Sequence, residues 1–150
     1  MPIDEVNTVS APTFTQEVRE SIVSDFQSTA ATGTASSPNW INDDNTGMSC
    51  YMDAEDEYAE IDYGLVVSIQ RWRMYGNTNN NGSGRMKIQY RDLITHTWVD
   101  WVVDIPTRAT ADWTSFATVS IVNTDKVRIV ATTIDTENNK NYIAEMEVIY

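Results

Sequence analysis

The stretch Tyr58–Ile69, "YAEIDYGLVVSI", decides how this chain is read. Ala59, Ile61, Tyr63, Leu65, Val67 and Ile69 recur every second residue, with Glu60 and Asp62 between them. A period of two places one set of side chains on each face of an extended strand. The apolar set predicts the buried face, and Glu60 and Asp62 predict the wet one.

The same rhythm returns downstream. "RMKIQY" puts Met86, Ile88 and Tyr90 on one face and Lys87 and Gln89 on the other. "WVDWVVDI" sets Val99, Trp101, Val103 and Ile105 against Trp98, Asp100, Val102 and Asp104. "FATVSI" groups Ala117, Val119 and Ile121, and "KVRIVA" turns Val127, Ile129 and Ala131 inward and Lys126 and Arg128 outward. "YIAEMEVIY" opposes Tyr142, Ala144, Met146 and Val148 to Glu145 and Glu147. Half-buried antiparallel strands alternate in this way. The breaks, "GNTNNNGSG" (76–84), "DIPTRATADW" and "DTENNKN", are rich in residues that tolerate turns. Short strands between polar loops predict an all-β antiparallel sandwich or jelly roll.

The start of the chain breaks the rhythm. Phe14, Val18, Ile22 and Phe26 share one helical face. They fit a short amphipathic helix, and "SIVSDF" fits an opening strand equally well. The organisation expected is an N-terminal segment, 1–27, and a single sandwich domain, 28–150.

Bulk properties narrow the functions. In 150 residues, 22 Asp and Glu outweigh 10 Lys and Arg, for a formal charge of −12. Nucleic-acid binding rests on cationic contacts to phosphate, so that partner is excluded, as are anionic membrane surfaces. No apolar run is long enough for a transmembrane helix, and "MPIDEVNTVS" has neither the basic nor the apolar region of a signal peptide. Cys50 is the only cysteine and His96 the only histidine, which rules out an intrachain disulfide and a Cys- or His-based zinc site. There is no Gly-x-Ser-x-Gly elbow, and "NNNGSGR" precedes a strand rather than a helix. No acid pair stands out for glycoside hydrolysis. The expectation is a protein that is not an enzyme.

Four motifs occur in order: "INDDNTGMSCY", "YAEIDYG", "VRIVAT" and the closing "YIAEMEVIY". Together they resemble the discoidin, or coagulation factor 5/8 C-type, domains of the galactose-binding-like fold, over Ser28 to Tyr150. The resemblance implies a β-sandwich of about eight strands that binds glycans, lipids or proteins through loops at one end. Two positions depart from the family pattern. Asp44 stands where the family has Gly, in a turn that calls for positive φ, which Asp tolerates. Tyr63 replaces a Leu.

In many galactose-binding-like modules a calcium ion pins this turn to the last strand. The resemblance carries that structural role to Asp43 and Asn45 through side-chain oxygens, to Asn42 and Thr46 through backbone oxygens, and to Glu145 on the final strand. Two carboxylates brought together repel unless a cation lies between them. An Asx turn with no ion is the alternative. Asp53, Glu55, Asp56 and Glu57 have no ligand spacing and read as a solvated loop.

Glycan recognition combines aromatic faces with amides and arginines. The loops offer Tyr75, Asn77, Asn79, Asn80 and Arg85, then Arg108 and Trp113, with Tyr51 or Trp40 flanking. Trp72, Trp98 and Trp101 read as core or sheet packing. The function expected is a non-catalytic carbohydrate-binding or adhesion module. The alternative is a structural module of a virus particle or surface complex that binds protein.

Overall fold

A computed structural model describes residues 31–149. The segment 1–27, with its helix expectation at Phe14, Val18, Ile22 and Phe26, lies outside the described residues. Eight strands follow in order: β1 (Thr32–Gly33), β2 (Cys50–Met52), β3 (Tyr58–Tyr75), β4 (Arg85–Arg91), β5 (Trp98–Pro106), β6 (Ala117–Thr133), β7 (Asn141–Ile143) and β8 (Glu145–Ile149). One short 3-10 turn, Pro38–Asn42, buries Ile41. No helix among the described residues is long and apolar enough to cross a membrane.

Two long strands organise the molecule. β3 pairs antiparallel with β6 twice, Tyr58–Asp62 against Lys126–Val130 and then Val67–Trp72 against Ala117–Thr124. β1 and β4–β5 extend the first pairing, while β8 flanks Arg71–Tyr75 in the second. β2 and β7 form a separate ribbon. Ile61, Ile69, Met86, Ile88, Ile129, Met146 and Val148 are fully buried in one shared core. Each such side chain stabilises the fold by roughly 1.5–3 kcal/mol. The fold is the all-β antiparallel sandwich expected.

Three side chains expected inward point outward instead: Leu65 (41% exposed), Val103 (60%) and Ile121 (67%). Each sits at a register shift. Between Asp62 and Val67, β3 advances five residues while β6 advances two. The excess bulges out around Gly64 (φ +69°). β5 carries one extra residue opposite Met86–Ile88, beside Asp104 at φ +56°. β6 carries two extra between Thr118 and Val122. Residues within such an excess leave the regular ladder and bulge away from the core, so simple alternation fails there although the flanking residues of the same phase stay inward. Val67 and Ile69 keep the inward phase past the Gly64 bulge; β3 changes phase only at its second register shift, between Ile69 and Arg71, after which Trp72 and Met74 are the inward pair.

Candidate functional site

The acidic bend folds back on itself. Asp43 Oδ1 accepts the Asn45 N–H at 3.0 Å, and Asn45 Oδ1 accepts the Gly47 N–H at 3.1 Å. These are Asx turns. Asp44 adopts φ +58°, the left-handed conformation expected of it. Asn42 Oδ1 accepts the Ala31 N–H at 3.0 Å, and Thr46 is exposed at the tip.

Glu145, at the start of β8, lies beneath this bend. It is 3% exposed, and its Oε2 has no hydrogen-bond partner. Burial pushes the carboxyl up to about 8, the charge of Asp43 and then that of Asp44 add to the rise, and the backbone N–H groups of Asp44 and Asn45 pull it partly back. A buried carboxylate against a second carboxylate, with an orphaned oxygen, is an arrangement a hard cation relieves. Among the described residues no three His, Cys, Asp or Glu side chains converge on a metal position. An ion here would take two carboxylates and complete its shell with amide and backbone oxygens, the donor type that suits calcium.

The loops after β3, β5 and β6 gather at one end and are tied by buried polar groups. Asp135, fully buried, accepts from the backbone N–H groups of Asn81, Gly82, Gly84 and Glu137 and from the Thr107 hydroxyl. Burial pushes its carboxyl up, but these hydrogen bonds outweigh burial and hold it below the usual carboxylate range. Asn80, 4% exposed, donates Nδ2 to the carbonyls of Arg108 (3.0 Å) and Tyr142 (2.9 Å) and accepts the Tyr142 N–H (3.0 Å). Its amide is therefore a pin between loops. Asn77 donates to Ser49 Oγ at 2.7 Å and accepts from the Asn79 N–H at 2.8 Å, and the Asn79 carbonyl takes Asn138 Nδ2. Arg85 holds the Gly82 and Gly84 carbonyls at 2.8 Å and pairs with Asp104 at 3.1 Å.

Tyr75, Arg108 and Trp113 come together. The Tyr75 and Trp113 rings meet edge-on, 5.5 Å apart. The Arg73 guanidinium lies 4.2 Å from the centre of the Trp113 ring, and so covers it. Arg108 packs its stem under Gly76, where a Cβ would sit 2.7 Å from Arg108 Cβ and 2.4 Å from the Thr110 carbonyl oxygen. Its Nε bonds Asp112 Oδ1 at 2.7 Å, and the Thr110 hydroxyl bonds the same oxygen at 2.5 Å. That hydroxyl lowers the Asp112 carboxyl most, burial opposes it, and the hydrogen bond and charge of Arg108 lower it further.

Beside this network opens a groove of about 340 Å³. Trp72, Met74, Ile105 and Pro106 supply an apolar floor, and Arg108 and Thr110 stand on its lip. A concave, mainly apolar pocket with a few convergent polar groups is the usual form of a small-molecule site. Arg108 was legible in advance, and the floor was not. Trp72 read as core, which its 9% exposure bears out, and it is a groove wall as well.

No protein-family model and no curated protein sequence matches the chain. Solved structures do. A pectin-binding carbohydrate-binding module superposes with TM-score 0.67 at 14% identity, covering 80% of this chain and 88% of the module. The family 32 carbohydrate-binding module of C. perfringens NanJ, in complex with galactose, gives TM-score 0.66 at 14% identity, covering 86% and 97%. A truncated AlyQ with family 32 carbohydrate-binding and alginate lyase domains gives TM-score 0.68 at 14% identity. It matches over 81% of this chain, which spans only 31% of that protein. The strand order, the bend under β8 and these superpositions give the chain the discoidin-like, galactose-binding β-sandwich fold shared by family 32 carbohydrate-binding modules.

Proposed function

We propose that the chain is a non-catalytic carbohydrate-binding module whose glycan seats at the groove beside Arg108. The observation that carries this reading is the groove itself, an apolar floor bordered by Arg108 and Thr110, both of which hydrogen-bond the Asp112 carboxylate behind them. Apolar surface receives the C–H face of a sugar ring, and the Arg108–Asp112–Thr110 network offers donors and an acceptor to its hydroxyls. The likeness to modules solved with galactose or described as pectin-binding supports the same class of ligand.

Calcium belongs to this proposal as a structural ion. The carboxylates of Asp43 and Glu145, the amide oxygen of Asn45 and oxygens of Asn42 and Thr46 would hold it. It would neutralise the two carboxylates and fasten the bend to β8. The ion is proposed to stabilise the fold and not to touch the glycan.

A broad glycan screen, run with calcium and with chelator, tests the reading. Binding to one glycan class, weakened by Arg108→Ala, is the expected result. Absence of binding under both conditions contradicts it and turns attention to a protein partner within a larger assembly.

A further inference from the structure

Away from the loop end, one cation stands apart. Arg128 alternates with the buried Val127 and Ile129, so its side chain lies on the outer face of the sheet. Its guanidinium is 5.0 Å from the centre of the Tyr58 ring and 4.3 Å from that of Trp98, and both rings are half-buried. Its Nε donates to the Gln89 side-chain oxygen at 2.8 Å. Its two terminal nitrogens have no hydrogen-bond partner among the described residues, and they reach solvent. The other cations of this face are engaged: Lys87 pairs with Asp100, and Lys126 with Glu60 and Asp62. Among the described residues Arg128 pairs with no carboxylate, in a chain that carries 22 Asp and Glu. A guanidinium is a planar fork that matches a carboxylate, so the site lacks its natural partner.

Trp, Tyr and Arg inside a rim of paired polar groups is the composition of a protein–protein hot spot. Gln89 donates to Asp100 at 2.6 Å, so the rim is tied to itself and leaves little to receive the hydroxyls of a sugar. The missing carboxylate stands next door. The turn leading into Tyr58 exposes Asp53, Glu55 and Asp56, none of them paired with a cation among the described residues. Glu57 Oε2 accepts the Asp53 and Ala54 N–H groups at 2.8 and 3.3 Å, and the Asp56 N–H bonds the Ala131 carbonyl at 3.0 Å. The turn therefore holds its acids in place. Within one copy Asp56 is near enough to act on the Arg128 charge, yet forms no bond to it. A surface that carries plug and socket side by side is self-complementary, because a two-fold axis through it brings each turn to the other copy's arginine. We propose that the chain self-associates by this face, the acidic turn of one copy seated on Arg128 between Tyr58 and Trp98 of the other. None of these residues lines the groove, so the contact is separate from glycan binding.

Sedimentation velocity on the full chain tests this, from about 5 to about 500 μM, a range that spans micromolar association. Salt of about 0.15 M screens the net charge of the two copies beyond about 8 Å and leaves the contact itself in force. A dimer population that grows with concentration is expected. Arg128→Glu should weaken association about tenfold or more, and so should the double change Asp53→Lys and Glu55→Lys in the turn. Circular dichroism checks that each variant is folded, and the turn variant, altered only at exposed positions, carries the test if Arg128→Glu does not fold. Mixing the two variants should restore a mixed dimer, since one contact is then native and the other has its charges exchanged. A packing role for Arg128 within its own sheet predicts no such rescue. A wild type that stays monomeric at the highest concentration overturns the inference. So does a dimer that survives both variants, or one that both variants abolish and their mixture fails to recover.

Discussion

Glu145→Gln is expected to change stability in opposite directions with and without calcium. In the folded protein the Glu145 carboxyl is pushed up to about 8 by burial and by Asp43, from an ordinary value of 4.5. Between those values the unfolded chain gives up this proton while the folded chain keeps it. Stability therefore falls as pH rises, by up to about 1.4 kcal/mol per unit, until the folded carboxyl also ionises. At pH 7 the accumulated penalty is about 2–3 kcal/mol, with allowance for solvent near the bend. Glutamine is neutral, so in chelator the variant should melt about 5–10 °C above wild type at pH 7, with the gap closing toward pH 4.5. Calcium reverses the order. An ion bound only by the folded state at a hundred times its Kd adds about 2.7 kcal/mol, and its benefit to wild type grows with pH as Glu145 ionises. The variant, one carboxylate short, should gain little. Thermal unfolding followed by circular dichroism at pH 5, 6, 7 and 8, in chelator and in millimolar calcium, reads all four conditions. A variant less stable than wild type in chelator at pH 7, or a wild type whose melting temperature climbs with pH in chelator, would refute the buried carboxylate pair.

Three further substitutions probe the loop end. Gly76→Ala places a Cβ 2.4 Å from the Thr110 carbonyl oxygen, so the 108–112 loop must move off β3. Glycan affinity should drop about tenfold and stability by about 1–3 kcal/mol, and titration and urea melts that match wild type would contradict this. Asn80→Ala removes three hydrogen bonds between loops and should cost about 2–4 kcal/mol, so a melting temperature within about 1 °C of wild type argues against the pin. Asp135→Asn leaves backbone donors facing an amide and should cost about 2–3 kcal/mol at neutral pH. Because the Asp135 carboxyl is held below its ordinary 3.8, its contribution is complete above that pH and lost as pH falls through the folded value. The difference between wild type and variant in urea should shrink below about pH 4, and a difference that persists at pH 2 would contradict the assignment.

The strands were legible because burial imposes a period of two wherever pairing is regular. "RMKIQY" kept its faces, with Met86 and Ile88 buried. Leu65, Val103 and Ile121 misled because a bulge inserts residues whose effect shows only against the partner strand. The bend was legible in local chemistry, since Asp44 could take positive φ and Asp43 and Asn45 could close Asx turns. That Glu145 lies beneath it followed from kinship and not from any local pattern. The groove was not legible, because Trp72, Ile105 and Arg108 meet only after β3 and β5 are in place. Asp135 gave no signal either. In "TTIDTENNKN" it looks like one more loop acid, and only the fold brings four backbone N–H groups and a hydroxyl to it.

The glycan-binding role is tested most directly by following the indole N–H resonances of the tryptophans and the backbone amides in solution as neutral and acidic oligosaccharides are added. The account predicts saturable shifts at Trp72, Arg108, Thr110 and Trp113 with at least one class of oligosaccharide. Shifts confined to the opposite end, around the 92–97 loop, or no shift with any oligosaccharide, would contradict it.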